Sequence, residues 1–439
     1  MAPPPHSAEV AIVGGGYSGA MLAARLAERG VASAVIDRTG DFGLGVAYST
    51  DFDGHLLNVR SRSMSALAAD PDHFVRWLAQ DHARWADPDG FAPRRLFGLY
   101  VQDRLARVEA SHPGLIRRVT GEAAAIEPGG VRLASGETIA ASSVVLATGN
   151  PAPKTASASA GRSAVIADPW APDALARIGA DDDIIIVGTG LTMVDMLLVL
   201  DAGGWRGRAF AVSRRGLMPR AHKAAPDGPA APVEAMTVGG LSGRVQAARR
   251  LADQRGWRSM MEGLRPVTAD LWAQADTATR GRIVRHLRPW WDVHRHRIAP
   301  DVAAVIYRLL ADHRLTLTAG RVRAIKDDGE RVRLDWTPRH GAAQPPRTAR
   351  WLIDCTGPGH DPAGDPLTGP LIASGRARLD ALRLGLDLDA VGRVLDVSGA
   401  PDADLYVLGP PARAAFWETI AVPDIRSRIE DVVGALTGA

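Results

Sequence analysis

The chain has 439 residues, 46% of them hydrophobic and 23% charged, with a formal net charge of +3. That is long enough for two domains and ordinary for a globular enzyme. A single cysteine, Cys355, excludes an internal disulfide and a protein dithiol, and no apolar run is long enough to span a membrane.

Met1–Ser7 is a short Pro-rich tail with neither the basic start nor the apolar core of a signal peptide. Together with the lone cysteine this makes a cytoplasmic location the expectation. Only Lys154, Lys223 and Lys326 are lysines, so arginine carries the positive charge. The arginines are scattered and nearly balanced by acids, which argues against nucleic acid and for phosphate-bearing cofactors.

Val10–Val13 reads as a short buried strand running into Gly14-x-Gly16-x-x-Gly19, with Tyr17 and Ser18 between the last two glycines. Residues 20–29 read as a helix and 33–36 as a second strand, ending on Asp37 and Arg38. In such a βαβ unit the first glycine makes the tight turn, the second lets backbone approach a pyrophosphate, and the third lets helix and strand touch. The helix N-terminus offers N–H groups to phosphate. Asp37, 18 residues after Gly19, would accept from ribose hydroxyls.

A glycine-rich loop follows over 39–48, then Gly54-His55-Leu56-Leu57-Asn58-Val59. Asp70 and Pro71 read as the N-cap and first position of a helix whose inner stripe is His73, Phe74, Trp77 and Leu78. Residues 117–140 read as antiparallel strands. A buried strand then closes on Ala147-Thr148-Gly149, and a Pro/Ala/Ser linker occupies 151–163.

The opening pattern then repeats. Asp183–Val187 reads as a strand, Gly188-Thr189-Gly190-Leu191-Thr192-Met193 as the turn, and Ala209–Val212 as the next strand, ending on Ser213-Arg214-Arg215. Met193 stands where a third glycine is expected, which should alter helix–strand packing more than phosphate contact. An acid at the first ribose position suits free hydroxyls, and two arginines at the second suit a 2′-phosphate. FAD is therefore assigned to the first unit and NADPH to the second.

Residues 216–300 are less regular, with helices expected near 240–255 and 275–290. Within them Arg285–Arg297 is basic and aromatic. His294 and His296 lack the one-turn spacing of helical zinc pairs, so no metal is expected. A basic surface near nicotinamide or substrate and a plain interdomain packing segment both remain open. Near 351–357, Asp354-Cys355-Thr356-Gly357 copies the Ala147-Thr148-Gly149 ending. A last core strand at 405–408 meets Gly409. Thr419 and Ile420 then precede a helix whose start, at Pro423, could face a flavin edge.

These motifs resemble a largely uncharacterised bacterial FAD/NAD(P)-binding protein family. The set is Gly14–Gly19, His55–Val59, Asp70–Leu78, Ser213–Arg220 with His222, Arg288–Arg297 and Trp417–Arg426. The family is similar to class B, N-hydroxylating flavoprotein monooxygenases. The resemblance implies an α/β fold of two dinucleotide-binding (Rossmann-like) domains, with the NADPH domain inserted into the FAD domain. The expected boundaries are 1–160 and 319–439 for FAD, and 161–318 for NADPH with a helical insertion.

It further implies that Gly14, Gly16, Gly19 and Asp37 hold FAD; Tyr17, Ser18, Arg38, Leu57, Asn58, Thr148, Gly149, Gly409, Thr419 and Ile420 are further candidates to line it. Gly188, Gly190, Leu191, Thr192, Arg214 and Arg215 would line NADPH. Asn58 is the candidate catalytic residue, beside the isoalloxazine, with a structural turn as its other reading. The expected activity is an NADPH-dependent monooxygenase working through a C4a-hydroperoxyflavin on a small amine-type nucleophile. The alternatives are a flavin oxidoreductase passing hydride to a small acceptor without oxygen insertion, and a non-catalytic flavin-binding protein. Substrate identity and oligomeric state are not legible.

Overall fold

A computed structural model describes residues 7–151, 164–357, 359 and 361–438. The N-terminal tail before Ser7 and nearly all of the 151–163 linker lie outside the described residues. The strands are β1 (Ser7–Val13), β2 (Ser33–Asp37), β3 (Ile116–Thr120), β4 (Ala123–Glu127), β5 (Gly130–Leu133) and β6 (Thr138–Leu146). Then come β7 (Val165–Ile166), β8 (Ile184–Val187), β9 (Ala209–Ser213), β10 (Leu315–Asp327), β11 (Val332–Pro338), β12 (Arg347–Ala349) and β13 (Trp351–Asp354). The last two are β14 (Arg393–Leu395) and β15 (Pro401–Val407).

They form two sheets. The first runs β14-β15-β6-β1-β2-β3, with the β4–β5 hairpin attached to β6. The second runs β12-β11-β10-β9-β8-β13-β7. In the first, β1 pairs in parallel with β2 on one side and β6 on the other. In the second, β8 pairs in parallel with β9 and β13. In each sheet the chain leaves the glycine-bearing strand to one side and later returns on its other side. That is the topological switch point where open α/β sheets bind ligands.

The second sheet holds its strands as far as Asp354, so the return to the first sheet comes after residue 354 and not at 318. Trp351–Asp354 pairs register for register with Ile184–Val187, a non-local pairing that no local pattern reveals. The expected antiparallel run over 117–140 holds for β4, β5 and β6, whereas β3 pairs in parallel with β2. The helix expected from Asp70 begins later, at His73, and its N-cap is Asp72, without a side-chain cap. The Asp70 carboxylate is drawn off to Arg76 instead.

The first sheet carries apolar cores on both faces. One is built with helices Tyr17–Ala27, Arg94–Ser111 and Val422–Thr437, where Leu22, Leu26, Phe74, Phe97 and Leu105 are fully buried. The other holds Ala34, Ile36, Val131 and Val144. A third core belongs to the second sheet and takes in Leu56 and Phe91 from the first domain's loop region.

Both glycine turns are dictated by sterics. A Cβ on Gly14 (φ 107°) would stand 2.3 Å from the Ala147 carbonyl oxygen, and one on Gly188 (φ 102°) 2.2 Å from that of Cys355. The helix after the first turn crosses so close that a Cβ on Gly19 would lie 1.9 Å from the Gly14 oxygen. At the equivalent place in the second unit Met193 is fully buried. Its side chain packs into the core of the second sheet. Gly19→Val is expected to destabilise the fold by at least about 1–3 kcal/mol, the usual cost of overpacking, read as a lowered denaturant midpoint. Met193→Leu, which conserves volume, should cost under about 1.5 kcal/mol.

Candidate dinucleotide sites and the cleft between them

At the first turn, Asp37 Oδ2 accepts from the Gly15 N–H (2.8 Å), while Oδ1 accepts from the Thr39 amide (2.9 Å) and hydroxyl (2.8 Å). The carboxylate is therefore aimed across the turn from the end of β2. Oδ2 keeps a lone pair for a further donor. Arg38, next to it, is exposed. The 39–48 loop folds back so that Gly43 N–H donates to Gly15 (2.7 Å), and a Cβ on Gly16 would meet only Gly45 Cα, at 3.4 Å. At Gly16 the turn is faced by backbone, as close approach to a pyrophosphate requires.

Thr148 and Gly149 follow β6 at the same end of the sheet. Gly409 (φ 77°) stands so near that a Cβ there would lie 2.6 Å from Ser18 Oγ. Gly14, Gly16, Ser18, Gly19, Asp37, Thr148, Gly149 and Gly409 thus come together at one sheet end. Leu57 is buried, its amide donating to Ala92 (2.8 Å). The Asn58 backbone carbonyl accepts from His222 Nε2 (3.1 Å), which gives the residue a structural task between the two domains. Two buried hydroxyls in this region, Tyr17 Oη and Thr419 Oγ1, make no hydrogen bond. Burial raises the Tyr17 phenol well above its ordinary range, with Tyr48 adding to the effect. Orphaned hydroxyls of this kind call for a polar partner, and the first turn fits a dinucleotide.

At the second turn, Thr189 is buried and its hydroxyl is tied to Ser213 Oγ (2.7 Å). Gly190 starts the helix Leu191–Ala202 and a Cβ on it would meet nothing, so the turn opens onto free space. Leu191 and Thr192 are half-buried beside it. Arg214 is exposed at the end of β9, and Arg215 Nη2 donates to the Arg285 carbonyl (3.4 Å). This turn too fits a phosphate-bearing ligand.

The joint between the domains is made by residues more than 100 positions apart in sequence. Asp195, on the helix after the second turn, receives a bidentate pair from Arg94 (2.8 and 3.0 Å), and both side chains are largely buried. Arg94 also donates to the Leu56 carbonyl (3.1 Å). His55, buried, bonds the Asp195 carbonyl through Nε2 (3.1 Å) and Thr50 Oγ1 through Nδ1 (2.7 Å). Burial lowers its pKa, so Nε2–H donates and Nδ1 accepts. A lone acid inside the apolar Leu191–Leu200 stretch is the sequence signal that could have found this pair.

Segment 257–297 forms the rest of the cleft. Trp272 stacks on Trp417 (centroids 4.5 Å) and donates to the Ala414 carbonyl (2.9 Å). Trp291 Nε1 donates to Glu418 Oε1 (2.9 Å), and Arg295 lies 3.3 Å from Oε2. Trp417 has φ 60° and ψ −60°, and Glu418 N–H donates to Phe416 (2.7 Å). This is the rare, strained γ-turn. Immediately beyond it come buried Thr419 and part-exposed Ile420. A cavity of about 200 Å³ lies between the second turn and this segment, bounded by Gly190, Leu191, Asp292, His296, Arg413 and Ile420. The pKa of His296 is lowered to about 3 by burial and then by the surrounding arginines, so it is neutral. A larger hollow of about 390 Å³ around His82, Trp85 and Arg95 is remote from both turns in sequence and touches neither.

Among the described residues, no helix is long and apolar enough to cross a membrane, and no group of three or more His, Cys, Asp or Glu residues could hold a metal ion. Cys355 is buried, and burial pushes its thiol pKa up.

Residues 11–151 match the family described as FAD-NAD(P)-binding. No curated protein matches the sequence. Among solved structures, the whole chain is similar to the ornithine hydroxylase PvdA of Pseudomonas aeruginosa (17% identity, 98% of this chain and 99% of that one, TM-score 0.66). It is similar to the ornithine N-hydroxylase KtzI of Kutzneria sp. 744, solved with reduced FAD, NADP⁺ and L-ornithine (16%, 98% and 99%, TM-score 0.67). It is also similar to the cadaverine monooxygenase DfoA of Erwinia amylovora, bound to FAD (15%, 98% and 95%, TM-score 0.67). At these identities the likeness establishes the fold alone, two parallel-sheet domains of dinucleotide-binding type, over almost the whole chain.

Removing Asp195 leaves Arg94 charged and buried without its partner. Asp195→Ala is expected to cost about 3–5 kcal/mol in denaturant unfolding, whereas the paired replacement Arg94→Met with Asp195→Leu should recover most of it.

Proposed function

We propose that the protein is an FAD-containing, NADPH-dependent monooxygenase acting on a small amine. One observation carries this reading. Two glycine turns of dinucleotide type lie on two sheets whose domains are joined by the buried Arg94–Asp195 pair, and the chain that builds them is similar to a solved amine hydroxylase from end to end. A disulfide reductase of the same general fold, such as the Thermoplasma-type thioredoxin reductase of T. acidophilum (11% identity, 99% of this chain and 98% of that one, TM-score 0.54), is disfavoured. Cys355 is the only cysteine, and it is buried. A protein dithiol needs two.

FAD would lie on Gly14–Gly19 with Asp37 toward the ribose, and NADPH on Gly188–Thr192 with Arg214 and Arg215 toward the 2′-phosphate. The flavin, when bound, supplies hydride acceptance and oxygen activation. The residues around it do the rest. Thr419 Oγ1 and Tyr17 Oη are placed to bind a polar ligand in a buried setting, and Trp417 and Ile420 help keep water from the cleft. Asn58 we retain as a residue near the flavin, acting through its position beside the domain joint. The boundary between the two domains we place after Asp354. The location we propose is the cytoplasm, where one reduced thiol is unexceptional, with a small molecule and not nucleic acid as the partner.

With isotopically labelled O₂, NADPH and a panel of small diamines and amino acids, one label per NADPH consumed is expected in a hydroxylamine product, read by mass spectrometry. NADPH oxidation that proceeds anaerobically with a small acceptor, and leaves no label in any amine, would instead establish the hydride-transfer alternative. Arg214→Ala with Arg215→Ala should raise the KM for NADPH about 10- to 100-fold, the loss of one or two charge-assisted hydrogen bonds. The KM for NADH should stay within about threefold.

A further inference from the structure

Ser213, at the end of β9, leads the chain into a turn that is fixed from two sides. Gly216 N–H donates to Ser213 Oγ (3.0 Å), and Ser213 Oγ lies 2.7 Å from Thr189 Oγ1. The Thr189 hydroxyl donates to the Leu217 carbonyl, so the proton between the two hydroxyls comes from Ser213. Gly216 (φ 60°) passes so close to β10 that a Cβ there would stand 2.8 Å from the Ala319 nitrogen. The second glycine turn and the turn bearing Arg214 and Arg215 are thus one hydrogen-bonded unit, and both arginines start from a rigid base. From that base Arg215 Nη2 reaches the Arg285 carbonyl (3.4 Å), which brings the insertion up to the end of β9.

Arg285 stands in the middle of Ile283–Leu287, a π turn between the helices Thr277–Arg282 and Arg288–Arg295. In an unbroken α-helix residues three apart share a face, and Arg285 would fall in line with Arg288, which lies 3.5 Å from Asp292. The wider turn takes Arg285 out of that row. Its side chain is exposed, as is that of Arg214. Among the described residues Arg214, Arg215 and Arg285 have no acidic partner, whereas Arg288 and Arg413 both lie within 4 Å of the Asp292 carboxylate. Like charges gathered at one edge repel one another, and no carboxylate of the protein offsets these three. A multiply charged anion does so, and the planar fork of arginine matches phosphate. The edge is also the right one: the ribose of a dinucleotide lies at the end of the second strand of its βαβ unit, away from the pyrophosphate at the glycine turn.

We infer that Arg285 is a third arm of the site for the 2′-phosphate of NADPH, closing on the phosphate from the insertion while Arg214 and Arg215 hold it from the end of β9. The inference rests on the function proposed above. It gives the insertion, which lies outside the βαβ unit, a share in choosing between the phosphorylated and unphosphorylated cofactor.

The test is calorimetric titration of the oxidised holoenzyme with NADP⁺ and NAD⁺, which differ only in the 2′-phosphate, so binding is read without turnover. Wild-type protein should prefer NADP⁺ by at least about 100-fold, the worth of two or more charge-assisted hydrogen bonds. Arg285→Ala should weaken NADP⁺ about 10- to 100-fold and NAD⁺ by less than about threefold. Arg285→Lys, which keeps the charge but loses the fork, should fall between the two and covers the case in which the alanine variant does not fold. Arg282→Ala removes an equal charge from the preceding turn and should change either affinity by less than about threefold, since screened surface charge acts weakly at a distance. A parallel loss for both ligands in Arg285→Ala, no loss for either, or a loss in Arg282→Ala as large as in Arg285→Ala overturns the assignment. If wild-type protein prefers NADP⁺ and only the Arg214→Ala, Arg215→Ala variant loses that preference, the assignment of Arg285 alone falls. If wild-type protein shows no preference for NADP⁺, the NADPH dependence proposed above falls with it.

Discussion

The relation between the two glycine turns hangs on one buried ion pair. Arg94 begins a helix of the first domain, and Asp195 sits one turn into the helix that follows the second glycine turn. Taking both charges out of water is costly, and only good geometry with further hydrogen bonds offsets that cost. The geometry supplies it: two parallel N–H···O bonds, a third from Arg94 to the Leu56 carbonyl, and His55 closing on the Asp195 main chain. An arginine fork on a carboxylate fixes orientation as well as distance. The helix whose N-terminus addresses the second ligand is thereby held against the loop that flanks the first.

The two halves also share a steric device. In each sheet the strand on the far side of the switch point ends in a Thr-Gly pair, and the carbonyl just before it presses on the first glycine of the turn. Ala147 meets Gly14, and Cys355 meets Gly188. An alanine in either glycine position would need a left-handed φ as well as the missing space. The third position is where the halves diverge. Gly19 permits contact with Gly14, while Met193 packs into the core of the second sheet.

The parts of this architecture that rest on neighbours in sequence were legible there. The turn at Gly14–Gly19, the acid at Asp37, the repeat at Gly188 and the arginines after β9 each declare themselves within a few residues, because their constraints are local. What the sequence withheld was non-local. Nothing near Trp351 shows that it pairs with Ile184, so the last strand of the second sheet is not marked by any local pattern. Asp70 has the look of a helix cap, yet Arg76 engages it. Arg94, Arg413 and Asp292 were indistinguishable from the many other charged residues until folding brought them to the cleft. Asn58 was singled out for its place in a motif, and the fold gives its backbone a joining role through His222.

Trp417 carries a further implication. A non-glycine residue at φ 60° and ψ −60° stores on the order of 1–3 kcal/mol, and it persists only where its surroundings over-determine it. Here the indole of Trp272, Arg413 above the ring and the hydrogen bond to Phe416 do so. Trp272 comes from a segment that a nucleotide-binding unit does not need. That excursion behaves as a splint for the other domain's C-terminal corner. Trimming it to a minimal loop would let the corner relax to an ordinary bend and swing Thr419 and Ile420 off their marks, so the two domains cannot be shortened independently of each other.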